Sequence, residues 1–271
     1  MSQINVDIIT SSSSSSVIFN DAIKSSGSTA TGTFSTAFGN AVFATGNYAH
    51  AEGWASTASG VGSHAEGLGS TASSNYAHAE GGACRALGNS SHAEGNSTTA
   101  TGSSAHSEGQ ETKAWGTSSH AEGYFTTASG QYSHSEGNLT TASGAQSHAQ
   151  GISTRAIGNH SHAEGNFTTT IGIASHAEGS FTTAIGNASH AGGVSSTASG
   201  ELSFVHGGAS TASGYGTIVL GSGIIGSESN TLYTNKIETT TPGGGIVLTS
   251  PNGIRYKVFV SDAGTLIVVA I

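Results

Sequence analysis

Glycine stands at every seventh position from 32 to 221, interrupted once, at Ser74. A longer period runs over it. His-Ala-Glu-Gly at 50 to 53 returns at 64, 78, 92, 120, 162 and 176, and near-copies beginning at His106, His134, His148 and His190 fill the remaining places in the same phase. Between successive histidine blocks lies a second block, such as Thr57-Ala-Ser-Gly60, Thr127-Ala-Ser-Gly130 or Arg155-Ala-Ile-Gly158, so two seven-residue halves make a unit of fourteen. A fixed period of this kind identifies a stack of units, none of which can bury its faces alone.

The phase matters because the composition alone points elsewhere. With 41 glycines among 271 residues, and with aromatic side chains at only 7%, a core of large apolar side chains is excluded. Such a chain would ordinarily be read as disordered, but disorder does not require glycine and alanine in register. The net charge of -9 and the lack of a basic cluster argue against nucleic acid as a partner. Cys84 is the single cysteine and forms no intrachain disulfide. Neither a signal peptide nor a membrane-spanning segment is read, and no membrane insertion is expected.

A period of seven raises the coiled coil first, yet no apolar seam recurs, and a glycine each heptad would cost a helix about 1 kcal/mol every time. Strand and turn explain the unit better: a few alternating residues form a short strand, and the glycine is expected to make the tight turn that follows. Two such halves form one coil of a flattened solenoid, stacked on its neighbours at about 4.8 Å. In Ser63-His-Ala-Glu-Gly67, alternation turns Ser63 and Ala65 inward and His64 and Glu66 outward. The alanine column recurs in both halves and fills a thin interior. Thr57 and Ser59 face outward on the other side.

The two outer faces differ. One repeats His50, His64, His78, His92, His106, His120, His134, His148, His162, His176 and His190, with Glu52, Glu66, Glu80, Glu94, Glu108, Glu122, Glu136, Glu164 and Glu178 two residues on. The other varies, with Arg85, Lys113, Trp115 and Ile157 among its residues. A monotonous face suits an equally periodic partner, and the candidate is the same face of another copy of the chain. The histidine and glutamate columns are therefore expected at a homo-oligomer interface.

Three segments are expected: a lead-in or attachment segment at 1–27, the repeat shaft at 28–221 with about fourteen coils on the order of 65 Å long, and a small β module at 222–271. In the lead-in, Ile4 to Ile9 reads as a strand, Ser11 to Ser16 as a polar tract, and Val17 to Ile23 as an apolar patch. In the last segment, strands are read at 229–237, 245–249, 254–260 and 265–271, with a breaker at Pro242 and a turn at Ser250-Pro-Asn-Gly253. The His slot turns apolar at Phe204 and Ile218, and Phe38 opens the array, as expected of terminal repeats that close a stack.

Units of the form Ser-x-Ala-x-Gly, x-x, Ser/Thr-x-Ala-x-Gly over roughly 29 to 221 resemble the head repeats of YadA-like trimeric adhesins. The resemblance implies an all-β, left-handed parallel β-roll that assembles as a homotrimer. In that family the slots of His64 and Glu66 usually carry valine and isoleucine. Similar repeats occur in bacteriophage fibre proteins, and the ending Ser250-Pro-Asn-Gly-Ile-Arg-Tyr-Lys257 resembles the C-termini of phage structural proteins.

Other chemistries find little support. His-x-Glu opens the zinc-deaminase signature, but the required Pro-Cys-x-x-Cys is missing. Glycine-rich windows are repeat turns rather than phosphate loops. The histidine column offers transition-metal ligands as an alternative, against which stands a ladder of His to Glu hydrogen bonds between chains; no metal or other cofactor is assigned. Thr-x-Ser/Thr ladders on the second face resemble ice-binding solenoids, but Arg85, Lys113, Trp115 and Arg155 interrupt them. Arg255, Lys257 and Asp262 are the only charged cluster near the C-terminus and too few for a catalytic site, so no enzyme is expected. The expected role is a structural trimeric fibre or spike of a bacteriophage virion. Its partners would be itself, other virion proteins and a host cell-surface glycan or protein, met through side chains such as Trp54, Tyr124, Phe125, Tyr132, Phe167 and Phe181. The alternative is a bacterial cell-surface adhesin.

Overall fold

A computed structural model describes residues 23–238, 245–261 and 264–271. The expected strand at Ile4 to Ile9, the serine tract, nearly all of the apolar patch at 17–23, Pro242 and Asp262 lie outside the described residues. Two compact units result, 1–233 and 234–271. Among the described residues every regular element is a strand.

The first unit is a parallel β-solenoid. The strands of one half of each coil, most of them five residues long, run from Ile23–Lys24 through His50–Trp54 and His120–Tyr124 to Leu232–Thr234 and form a 16-stranded sheet. The two-residue strands of the other half, from Thr29–Ala30 to Ile225–Gly226, form a 15-stranded sheet. Pairing joins equivalent residues of successive coils, as in His92↔His106 and Ala100 with its counterparts Ala86 and Ala114. The fourteen-residue period of the sequence is thus the hydrogen-bonding register. At about 4.8 Å per coil, some fifteen coils rise about 70 Å.

The interior is as thin as the alanine columns require. Ala51, Ala65, Ala79 and Ala93 from one sheet face Ala58, Ala72, Ala86 and Ala100 from the other, all fully buried. Beside them run two buried columns of small hydroxyl residues. In one, Ser63, Ser91, Ser119 and their equivalents donate to the carbonyl of the glycine three residues earlier, as Ser63 Oγ does to Gly60 O at 2.8 Å. The other is Thr98, Thr112, Thr126, Thr140, Thr154, Thr168 and Thr182. Small side chains bury little apolar area, so backbone hydrogen bonds between coils, each worth about 1 kcal/mol net, carry much of the cohesion.

The turns correct the expectation placed on glycine in part: in one half of each coil, from Gly39 to Gly221, the repeat glycine has a φ of 92–158°, whereas in the other half, as at Gly88, it does not. In both halves a left-handed residue comes two positions after the repeat position and is mostly not glycine: Tyr76, Ala83, Ser90 and Ser97 have φ of 57°, 55°, 54° and 56°. Its amide donates to a carbonyl fifteen residues earlier, Ala83 to Leu68 at 2.7 Å and Ser90 to Asn75 at 2.9 Å. The glycines are needed for close approach. A Cβ on Gly88 would lie 2.0 Å from Gly102 O, and one on Gly95, which also has φ +110°, would lie 2.2 Å from Gly109 O. Every coil therefore seats its two glycines directly against the next. Ser74, the one exception, donates its hydroxyl to Leu87 O at 2.6 Å.

The second unit is a three-stranded antiparallel sheet of Ile246–Thr249, Arg255–Val260 and Leu266–Ala270, with registers Ile246↔Val258 and Val258↔Val268. The Ser250 turn closes through Gly253 N–H to Ser250 O at 2.9 Å. These strands match the three read at 245–249, 254–260 and 265–271. Ile246, Leu248, Val260, Leu266 and Val268 are exposed on it.

Candidate functional site: the histidine and glutamate face

Pleating sends the first and third residues of each His-x-Glu block to the same side of the 16-stranded sheet. All twenty predicted residues lie there, half-buried, in two columns. Parallel in-register pairing then stacks like on like. From His64 to His176 successive imidazole rings sit 4.7–5.0 Å apart and within 6° of parallel. The stack turns at its ends, where His50 stands at 75° to His64 and His190 at 80° to His176. Beyond them the Thr36 hydroxyl meets His50 Nδ1, and Phe204 stacks on His190 at 4.7 Å.

Ten of the eleven imidazoles bring Nε2 within 4.0 Å of a carboxylate of the same chain, and His162, which has Gln150 one coil back, does not. His64, His78 and His92 approach the glutamate of their own coil, Glu66, Glu80 and Glu94. From His106 onward, His162 excepted, the partner is the glutamate one coil back, as in His106 to Glu94 at 3.5 Å and His120 to Glu108 at 3.2 Å. Glu94 serves both registers. Several of these separations are too long for a hydrogen bond, and Nε2 of His64, His78, His92 and His134 is enclosed without one.

Crowding sets the charge state. Burial, and next to it the neighbouring imidazoles, hold His64, His92, His120, His148, His162 and His190 below the ordinary histidine pKa, against an opposing pull from the glutamates. Glu122 is held below the usual carboxylate range, first by its side-chain hydrogen bond with Glu136, with the imidazoles of His120 and His134 adding to it. These six imidazoles are thus held toward the neutral form, and Glu122 toward the carboxylate.

Beside the glutamates, the glycine column leaves an open groove of about 820 Å³ lined by Glu108, Glu122, Glu136, Gln150, Glu164 and Glu178 with the glycines that follow them. A shorter one of about 440 Å³ runs along Glu66, Glu80 and Glu94. Gln150 keeps the column continuous by donating to Glu164 at 3.2 Å. Neighbouring His, Glu and His, such as His78, Glu80 and His92, bring one ligand atom each within 4.8 Å of one another.

The opposite face lacks such order. Thr57, Thr71 and Thr99 share their column with Arg85, Lys113 and Arg155, and Lys113 lies 5.7 Å from the Trp115 ring centroid. The six predicted contact residues Trp54, Tyr124, Phe125, Tyr132, Phe167 and Phe181 are all exposed at the corners or strand ends, and Phe167 and Phe181 stack at 5.0 Å.

Sequence reasoning missed His206. It occupies the glutamate slot of its coil, and its Nδ1 reaches Glu178 Oε1 at 3.8 Å across two coils. The signal was present at Gly192, where the intervening coil has no side chain in that slot.

Compared with known families, the chain matches the YadA head domain repeat at residues 26–41, 51–73, 86–105, 163–189 and 177–203. No curated protein matches it. The repeat matches and the β-solenoid that contains them support a YadA-like head-repeat protein.

Proposed function

We propose that this chain is a structural, adhesin-like fibre protein: three copies join through their histidine and glutamate faces into a stiff shaft that carries contact residues to a cell surface. One observation carries the reading, the uninterrupted register of eleven imidazoles, nine of them followed by a carboxylate, on a single face. A face so uniform along about 50 Å of stack is matched by its own copies. The outward corners, with Trp54, Tyr132 and Phe181 exposed, then offer aromatic rings to a glycan or protein ligand. The head-repeat matches point to the same structural, adhesin-like class. Within it, the bacteriophage fibre and the bacterial surface adhesin place the shaft on a virion or on a cell, and both fit the repeat. In the fibre reading, other virion proteins anchor it.

Negative-stain electron microscopy of the purified chain tests the proposal. Rods with threefold end views support it; isolated single-width rods contradict it. Binding of the labelled protein to bacterial cells, weakened by Trp54→Ala and Phe181→Ala, tests the contact role.

A further inference from the structure

The regular ladder ends in an irregular cluster. Along the glutamate column three consecutive coils read Glu178, Gly192 and His206, and the histidine column passes from His190 to Phe204. Three departures from the repeat, Gly192, Phe204 and His206, thus fall in two adjacent coils. Their geometry is convergent. Glu178 Oε1 lies 3.3 Å from His190 Nε2 and 3.8 Å from His206 Nδ1, and the three ligand atoms lie within 4.8 Å of one another.

Gly192 creates the meeting point. A Cβ there would stand 2.4 Å from His206 Nδ1 and 3.1 Å from Glu178 Oε1, so both side chains lean into the space that any other residue would fill. Without that gap, residues two coils apart would be separated by about 9.6 Å of stack. His190 contributes a ring already turned out of the parallel stack and held by Phe204, and its side chain is the least exposed of the ion-paired histidines, at 27%.

We propose that Glu178, His190 and His206 bind a divalent transition-metal ion of the Zn²⁺ class at the C-terminal end of the histidine ladder. Two imidazole nitrogens and one carboxylate oxygen are the donor set that suits such ions, and at bond lengths of about 2.0–2.2 Å tetrahedral ligands stand about 3.3 Å apart. The Glu178–His190 pair already has that separation, Glu178–His206 needs about half an ångström of closure, and His190–His206, within 4.8 Å, closes by the same movement of the exposed His206. Mid-ladder groups such as His78, Glu80 and His92 also bring their ligand atoms within 4.8 Å, but their rings are stacked parallel within 4°, whereas here the His190 ring is turned out of the stack and the missing side chain at Gly192 leaves room for the ion. A bound ion would tie three successive coils together and leave coordination positions for water or an incoming ligand. The site lies within one chain and does not depend on self-association.

The full chain, stripped with a chelator, is titrated with Co²⁺ and followed by visible absorption, with Zn²⁺ displacing it and calorimetry giving the stoichiometry. One equivalent per chain is expected, with absorption of low-symmetry coordination and a Zn²⁺-dependent rise in melting temperature. His206→Leu, which copies Leu220 of the next coil, lowers affinity at least tenfold and abolishes the thermal shift. Gly192→Ala, which keeps all three donors but fills the gap, does the same, while His120→Gln in mid-ladder leaves the site intact. Stoichiometric binding that survives both His206→Leu and Gly192→Ala, an equal loss in His120→Gln, or no stoichiometric binding by the wild-type chain overturns the proposal.

Discussion

Inside the solenoid the hydroxyls of Ser107 and Thr112 meet at 2.8 Å, both fully buried. Ser135 and Thr140 repeat the contact two coils later. These are the two coils whose histidine block reads His-Ser-Glu-Gly, so the serine that interrupts the alanine column answers a threonine across the core.

In four coils where alanine remains, the threonine has no partner: the hydroxyls of Thr98, Thr126, Thr154 and Thr168 are buried without a hydrogen bond, whereas Thr182 donates to Glu178 O at 3.0 Å. Ala121 stands to Thr126 as Ser107 stands to Thr112. Ala121→Ser is therefore expected to stabilise the chain by about 1 kcal/mol, and Ser107→Ala to destabilise it by a similar amount. Thermal or denaturant unfolding of the two variants checks both signs.

Two positions in one turn respond in opposite directions. Gly88→Ala drives a Cβ to within 2.0 Å of Gly102 O, a contact with backbone that cannot move without breaking the register. A loss of several kcal/mol is expected, above the range of about 0.5–3 kcal/mol usual for single substitutions. Ser90→Gly, two residues on, releases a left-handed non-glycine residue at φ 54° and is expected to be neutral or stabilising by up to about 1 kcal/mol. Melting temperatures of the pair test whether glycine serves stacking rather than turning.

Much of the architecture is legible in the sequence because both constraints repeat with it. Alternation within Ser63-His-Ala-Glu places alanine inside and His64 and Glu66 outside, and the period sets the register that stacks His92 on His106. The same alternation turns Ser63 and Thr98 inward and Thr99 outward, but it does not say which hydroxyls find partners, because that depends on whether alanine or serine stands across the core. The role of glycine is illegible for another reason: Gly88 is defined by a carbonyl fourteen residues away, not by its own turn. His206 is hidden because its partner lies two coils back and meets it only across a missing side chain.

Acid should destabilise the chain. In the folded state His64, His92, His120, His148, His162 and His190 have lowered pKa values, so below about pH 6.5 the unfolded chain binds more protons than the folded one. Stability is then complete above that pH and falls as the pH drops toward the folded-state values. The depressed Glu122 adds a further loss in the carboxylate range and acts in the same direction. Unfolding midpoints at pH 7.5, 6 and 5 should decrease in that order, and His120→Gln should flatten the dependence. A midpoint that rises on acidification would contradict the assignment of neutral imidazoles.

The central claim is that the histidine and glutamate face joins copies of this chain. Its most direct test is the mass of the purified protein by size exclusion with light scattering at neutral pH. A mass three times the 26.7 kDa of the chain is the predicted result. A monomer at every concentration would contradict the account and leave the eleven-ring ladder to solvent.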